Sequence, residues 1–152
     1  MLRKLTLDEA IKELERLVPW KPGEFFIEVD VERIIEPEKS VQVGRRMRRW
    51  IEKMHWMEKI THPEKPISVE VPVTRTMRVL IKDETRTAIM AIWGSVYQEN
   101  LKIFREKIPQ RIRVIKPVLP APDYRDPKSH YYCDIWAHER ITRIEDISDK
   151  NN

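Results

Sequence analysis

The sequence predicts an all-β fold with added helices: a five-stranded barrel carrying an N-terminal helix and a second helix between its third and fourth strands. Three observations predict it. β-Branched and aromatic residues alternate with polar ones at period two in several segments, as in strands that bury one face. Two short amphipathic stretches recur at helical spacing, one before the first strand and one between the third and fourth. Proline-bearing turns separate the segments, and no repeat interrupts the 152 residues. One domain is therefore expected over 1–147, with 148–152 a disordered tail.

The N-terminal helix is announced by Thr6-x-x-Glu9, a capping box in which hydroxyl and carboxylate each satisfy a free backbone N–H. Leu7, Ile11, Leu14 and Val18 then make an apolar stripe, and Pro19, Pro22 and Gly23 end this leader, which spans 1–23. EFFIEVDVERII follows as the first strand, with Ile27, Val29 and Val31 inward and Glu36-Pro37 closing it. Residues 41–66 change character. Met47, Ile51 and Met54 share a helical stripe, and His62-Pro63 and Lys65-Pro66 stop it, so a helical insertion is expected between strands one and two. The second strand lies in VEVPVTRTMRVLIKD and the third in TAIMAIWG. Asp83–Arg86 turns between them, forming a hairpin. A helix from Gly94-Ser95 to about Ile108 places Val96, Leu101, Phe104 and Ile108 inward, with Pro109 as its stop. RIRVIKPVL is the fourth strand, PAPDYRDPKSH a proline-rich loop and YYCDIWAHERI the fifth strand. A helix between strands three and four of five is the order of the OB-fold, a partly open Greek-key barrel.

Composition narrows the function classes. A charged fraction of 36% beside 41% hydrophobic residues suits a globular body with a heavily charged surface. One cysteine, Cys133, excludes an internal disulfide framework and suits a reducing compartment. No apolar run approaches the roughly 20 residues of a membrane span, and MLRKLTLDEA lacks the plain apolar block of a signal peptide. A soluble cytoplasmic protein without a membrane partner is expected. Abundant Lys, Arg, Glu, Ile and Pro beside three glycines lean towards a heat-adapted source. The net charge is +4, and its placement is uneven. Arg45, Arg46, Arg48, Arg49, Lys53 and Lys59 face only Glu52 and Glu58 within Gly44–Lys59, so that segment carries the whole excess.

At Asp83–Gly94, DETRTAIMAIWG, the chain resembles the second hairpin of the replication protein A family of single-stranded DNA-binding OB domains, of archaeal type. The upstream LERLVPWKPGEFFIEVDVERIIEPEK is similar to that family's short leader helix, Pro-Gly and first strand. The resemblance covers 11–40 and 69–146, and it implies a largely sequence-independent single-stranded DNA-binding protein of replication, repair or recombination. It places Trp93 on the family's stacking aromatic at the end of the third strand. Two departures stand out. Arg86 occupies the family's turn glycine, which calls for a wider turn or a strained residue, and Gly44–Pro66 is longer than the usual first inter-strand loop.

The residues themselves support a similar reading. Alternation puts Ala88, Met90 and Ile92 in the core and Ile89, Ala91 and Trp93 on the outer side, where an indole offers a flat surface to a base. On the fifth strand Tyr132, Asp134, Trp136 and His138 share the ligand side, opposite Cys133, Ile135 and Ala137. Tyr124, Tyr131, Arg125 and Lys128 border the loop before it, and either stack and clamp a strand or pin that loop to the barrel. Arg33, Arg75 and Arg78 are candidates for phosphate contact. In the insertion, Trp50 and Trp56 accompany Arg45, Arg46, Arg48 and Arg49, as a single strand with alternating phosphates and bases requires. Its methionine stripe equally suits a partner OB subunit or a second copy of the chain docking on the 44–60 helix. The alternative is thus a scaffold subunit of a replication- or telomere-type complex, or an RNA-binding protein. No phosphate-loop, nucleophile-elbow or dinucleotide motif occurs, and His55, His62, His130, His138 and Cys133 lack metal-ligand spacing. Neither enzymatic activity nor a metal or cofactor is expected.

Overall fold

The computed structural model describes residues 2–18, 21–41, 74–94 and 98–148. Beyond Val41, the basic insertion predicted at 41–66 lies outside the described residues, and with it Arg45, Arg46, Arg48, Arg49, Trp50 and Trp56. In chain order the elements are β1 (Arg3–Lys4), α1 (Leu7–Glu15), β2 (Phe25–Val41), β3 (Thr74–Lys82), β4 (Thr87–Gly94), α2 (Glu99–Glu106), β5 (Arg111–Ile115), β6 (Ile135–Ala137) and β7 (Arg143–Asp146). A single 3-10 turn, Pro122–Tyr124, sits between β5 and β6.

The strands form one sheet in the order β6-β4-β3-β2-β5-β7, with β1 added to β2 in parallel. β4 and β6 also run parallel, and the remaining neighbours are antiparallel. β6 and β7 end that path, yet only residues 138–142 separate them, in a turn closed by the Thr142 N–H on the His138 carbonyl at 2.9 Å. Laid flat, the path would hold its edges about 24 Å apart, whereas one turn spans about 7 Å. The sheet therefore curls, bringing one end of each edge strand together.

Alternation explains the core. Phe25, Ile27 and Val29 of β2, Met77, Val79 and Ile81 of β3, and Ala88, Met90 and Ile92 of β4 all point inward. Ile112 and Val114 of β5, Ile135 and Ala137 of β6 and Ile144 of β7 complete the lining, and α1 and α2 add Leu7, Leu14, Leu101 and Phe104. Each of the larger side chains contributes about 1.5–3 kcal/mol on burial.

Several boundaries differ from expectation. There are seven strands among the described residues rather than five: the predicted fifth strand shrinks to β6, and β1 and β7 are additional. Tyr131–Asp134 are turn and coil, and Arg143–Asp146, beyond the predicted fifth strand, pair with Ile112–Ile115 of β5. β2 also runs on past Glu36-Pro37. Between Glu36 and Lys39 the register slips, with three steps on β2 matched to two on β3, and Pro37 falls inside that bulge where no ladder N–H is required. α1 keeps its capping box, with Thr6 Oγ1 accepting from Glu9 N (3.2 Å) and Glu9 Oε1 from Thr6 N (3.0 Å). It ends at Glu15 instead of spanning the leader, so Val18 is exposed. Ile108, expected inward, is exposed because α2 stops at Glu106. β5 stops at Ile115, ahead of Lys116, which adopts φ 56°.

The hairpin turn shows how local chemistry positions an element far away. Asp83 Oδ1 accepts from the N–H groups of Thr85 (2.8 Å) and Arg86 (3.3 Å), while Oδ2 accepts from Leu7 N at 2.7 Å. Thr85 Oγ1 accepts from Asp8 N (3.1 Å), so this turn caps the first turn of α1. Arg86 has no positive φ, so the turn is closed by Asp83 without strain. Burial alone would raise the Asp83 carboxyl. The bonds from the Thr85 hydroxyl and from the Leu7, Thr85 and Arg86 N–H groups outweigh it and hold the pKa below its ordinary value. Asp83→Ala is expected to cost about 2 kcal/mol at neutral pH, since bonds to a charged acceptor are among the stronger ones. Because the folded pKa is the lower one, this contribution is complete above the ordinary carboxylate value and disappears as pH falls through the depressed one. Urea unfolding of both proteins at neutral pH and at pH about 2 checks it: the difference should shrink in acid, and an equal difference at both would count against the bonding described.

Candidate nucleic-acid interface

The outer side of β4 presents Ile89, Ala91 and Trp93, as alternation predicts, but most of it is covered. Lys116 turns the chain out of β5, and Pro117 restricts the residue before it and cannot donate to a ladder. The loop from 116 to 134 then folds across the sheet. Val118 pairs with Trp136 (3.0 Å in both directions) and brings up Cys133 and Tyr124. Together Ala91, Val118, Cys133 and Trp136 form a second, smaller apolar cluster, edged by Ile89, Trp93, Ala121, Tyr124 and Ile141.

Two latches hold the loop down. Asp134 imitates a strand residue: its N–H bonds Ile89 O (2.8 Å) and its Oδ2 accepts from Ile89 N (2.8 Å). Its Oδ1 accepts from the Tyr132 hydroxyl at 2.7 Å, a bond that raises the Tyr132 pKa, helped by burial. Arg78 is the second latch, donating to Tyr132 O (3.0 Å) and to Glu36 Oε2 (2.8 Å). Lys39 lies 4.7 Å from the centre of the Tyr131 ring and also pairs with Glu36.

At the Thr74/Gly94 end of β3 and β4 the loop leaves a cleft of about 210 Å³, lined by Thr74, Trp93, Gly94, Tyr124, Trp136, His138 and Glu139. Trp93 is half-buried on its wall. The Trp93 ring meets Tyr124 at 5.7 Å and 78° and Trp136 at 5.8 Å and 70°, while Tyr124 meets Trp136 at 5.0 Å and 63°. These are edge-to-face arrangements, the favoured ones for quadrupolar rings. Gly94 permits the wall to close: a Cβ there would lie 2.6 Å from the Gln98 side chain. Gln98 in turn caps α2 through Leu101 N (3.2 Å) and donates to Glu139 O (3.1 Å). His138 Nδ1 accepts from Arg140 N (3.2 Å), which places the ring proton on Nε2. Burial lowers the His138 pKa, and the neighbouring Arg140 charge acts in the same direction against Glu139.

The structure redistributes the predicted site residues. Trp93 and Tyr124 come together, with Tyr131 beside Tyr124 at 6.3 Å. Trp136 joins them but is only 3% exposed, so it backs the cleft and is no open stacking surface. It keeps the predicted outer side, opposite Ile135 and Ala137, whereas Cys133, expected in the core with them, does not, because Tyr131–Asp134 are not strand. Parity is lost there, and Cys133 packs beside Trp136, its thiol pushed up to about 12 by burial. Tyr132 serves the Asp134 latch. Arg78 is spent on Glu36 and the loop, and Arg75 bonds Glu38 Oε1 (3.0 Å), which Arg105 of α2 shares, so neither arginine is an open phosphate contact. Arg33 is exposed on β2. Many other cations are matched to carboxylates in the strand register, such as Arg111–Asp30 at 2.8 Å and Arg113–Glu28 at 3.3 Å. Among the described residues, Lys21, Arg33, Lys107, Arg125, Lys128 and Arg140 have no carboxylate partner. Arg125 and Arg140 adjoin cleft-lining residues in sequence, and Lys128 lies in the same loop. Thr74, Gly94 and Glu139 were not anticipated as lining residues; the one sequence signal was the glycine directly after Trp93.

Among the described residues there is no group of three His, Cys, Asp or Glu side chains that could hold a metal ion, and no helix is long and apolar enough to cross a membrane. The architecture is mostly β, a curled mixed sheet with two helices, and its strand order is consistent with an OB-fold. No protein-family model matches the chain, and no curated protein matches it. Among solved structures it aligns with the OB domain of Ta0387 from Thermoplasma acidophilum, determined by solution NMR, at a TM-score of 0.45 and 9% identity, over 95% of this chain and 86% of that one.

Proposed function

We propose that the chain binds unpaired nucleic-acid strands, single-stranded DNA first, of the kind that replication and repair produce. The observation that carries this reading is Trp93, half-buried in an aromatic cleft at the end of a curled sheet, with two cations that no described carboxylate neutralises, Arg125 and Arg140, next in sequence to cleft-lining residues. The chemistry matches the ligand: a base presents a π face to an indole, and the following phosphate seeks a cation. Arg125, Lys128 and Arg140 supply the phosphate contacts of the described body, and Gly44–Lys59 brings the chain's excess of positive charge.

A salt series with labelled single-stranded DNA and RNA oligomers, followed by anisotropy, tests the proposal. Each phosphate contacted contributes about −0.7 to the slope of log K against log salt, so three contacts give about −2, steeper if the Gly44–Lys59 cations join. Tighter binding of RNA would redirect the reading to that ligand. Absence of binding to either at low salt would overturn it.

A further inference from the structure

We infer that the cleft receives one unstacked base and that the described body offers no track for a run of them. This rests on the nucleic-acid reading above and deepens it. A track would need the outer row of β4 and its β3 neighbours to be open along their length. Instead Ala91 is 1% exposed beneath Val118, Cys133 and Trp136. Ile89 has both backbone groups taken by Asp134, and Arg78, beside Ala91 in the register, is held by Tyr132 and Glu36. Of this outer row, the Thr74/Gly94 end is the part that the described residues leave uncovered. Its volume of about 210 Å³ falls below the roughly 300–1,000 Å³ of sites for drug-sized ligands, so one heterocycle fills it. Among the described aromatic rings, Tyr124 and Trp136 both meet Trp93 steeply, and neither lies parallel on it. A base is therefore the stacking partner that the geometry leaves for the indole.

The consequence is a distinct dependence on base number at constant phosphate number. The test uses the full chain and single-stranded DNA oligomers of about twelve nucleotides that are abasic except at one, two or four adjacent positions, with a fully abasic strand as reference. All carry the same charge, so the basic surfaces contribute equally. One base is expected to raise affinity over the abasic strand by about 5- to 150-fold. Further bases should add only in proportion to their number, because each merely offers another choice for one site. Affinity multiplying by about fivefold or more with every added base would reveal a track and overturn the single-base inference, while leaving the proposed function intact. An abasic strand that binds as well as the four-base strand would remove the stacking interaction itself, overturning this inference and leaving the proposed function to phosphate contacts alone.

Discussion

Asn100→Leu is expected to lower the unfolding free energy by about 3 kcal/mol. Asn100 is 2% exposed on α2, and its amide completes the backbone of the last strand. Nδ2 donates to Thr142 O at 2.9 Å, and Oδ1 accepts from Ile144 N at 2.9 Å. Leucine fills a similar volume but leaves one buried carbonyl and one buried N–H without partners, at about 1–3 kcal/mol each. The loss also loosens the step from the 138–142 turn into β7, which brings the two sheet edges together. Urea unfolding should show a lower midpoint at unchanged slope, the signature of altered stability rather than altered compactness. A midpoint equal to that of the parent protein would contradict the role assigned to the amide.

Trp93→Ala is expected to weaken binding of single-stranded oligomers by about 5- to 150-fold, since base stacking on an aromatic contributes about 1–3 kcal/mol. Trp93→Phe should keep binding within a few-fold, because a flat ring remains in place. The pair of variants separates stacking from collapse. Trp93 also edges the Ala91/Val118/Cys133/Trp136 cluster, so alanine costs some packing, and thermal melts of both variants show whether the fold persists under binding conditions. Undiminished affinity in a folded Trp93→Ala protein would remove the indole from the interface.

Much of the fold was legible because its signals are local. The Thr6/Glu9 box, the alternation from Phe25 and the Asp83–Arg86 turn each act within a few residues, and each forms as read. What escaped depends on distant partners. Nothing near Pro37 shows that a bulge will absorb it, and nothing near Asp83 shows that its carboxylate will also cap α1. The candidate site was legible in kind more than in detail. Trp93 and Tyr124 do converge and Trp136 takes its expected side, but the side taken by Cys133 hinged on whether Tyr131–Asp134 continue a strand, and the burial of Trp136 on a loop that folds back over it. Arg75 and Arg78 read as open cations because their partners, Glu38 and Glu36, face them only through the β2–β3 register.

The five tryptophans allow the place where a base meets this protein to be seen directly. Indole N–H resonances of the ¹⁵N-labelled chain, with Trp93 assigned through Trp93→Phe, can be followed as a single-stranded oligomer is added. The Trp93 signal is predicted to shift most and to saturate together with binding, with Trp136 moving less behind it. A titration in which Trp50 or Trp56 shifts while Trp93 and Trp136 stay still would place the ligand elsewhere and contradict the aromatic cleft as the site.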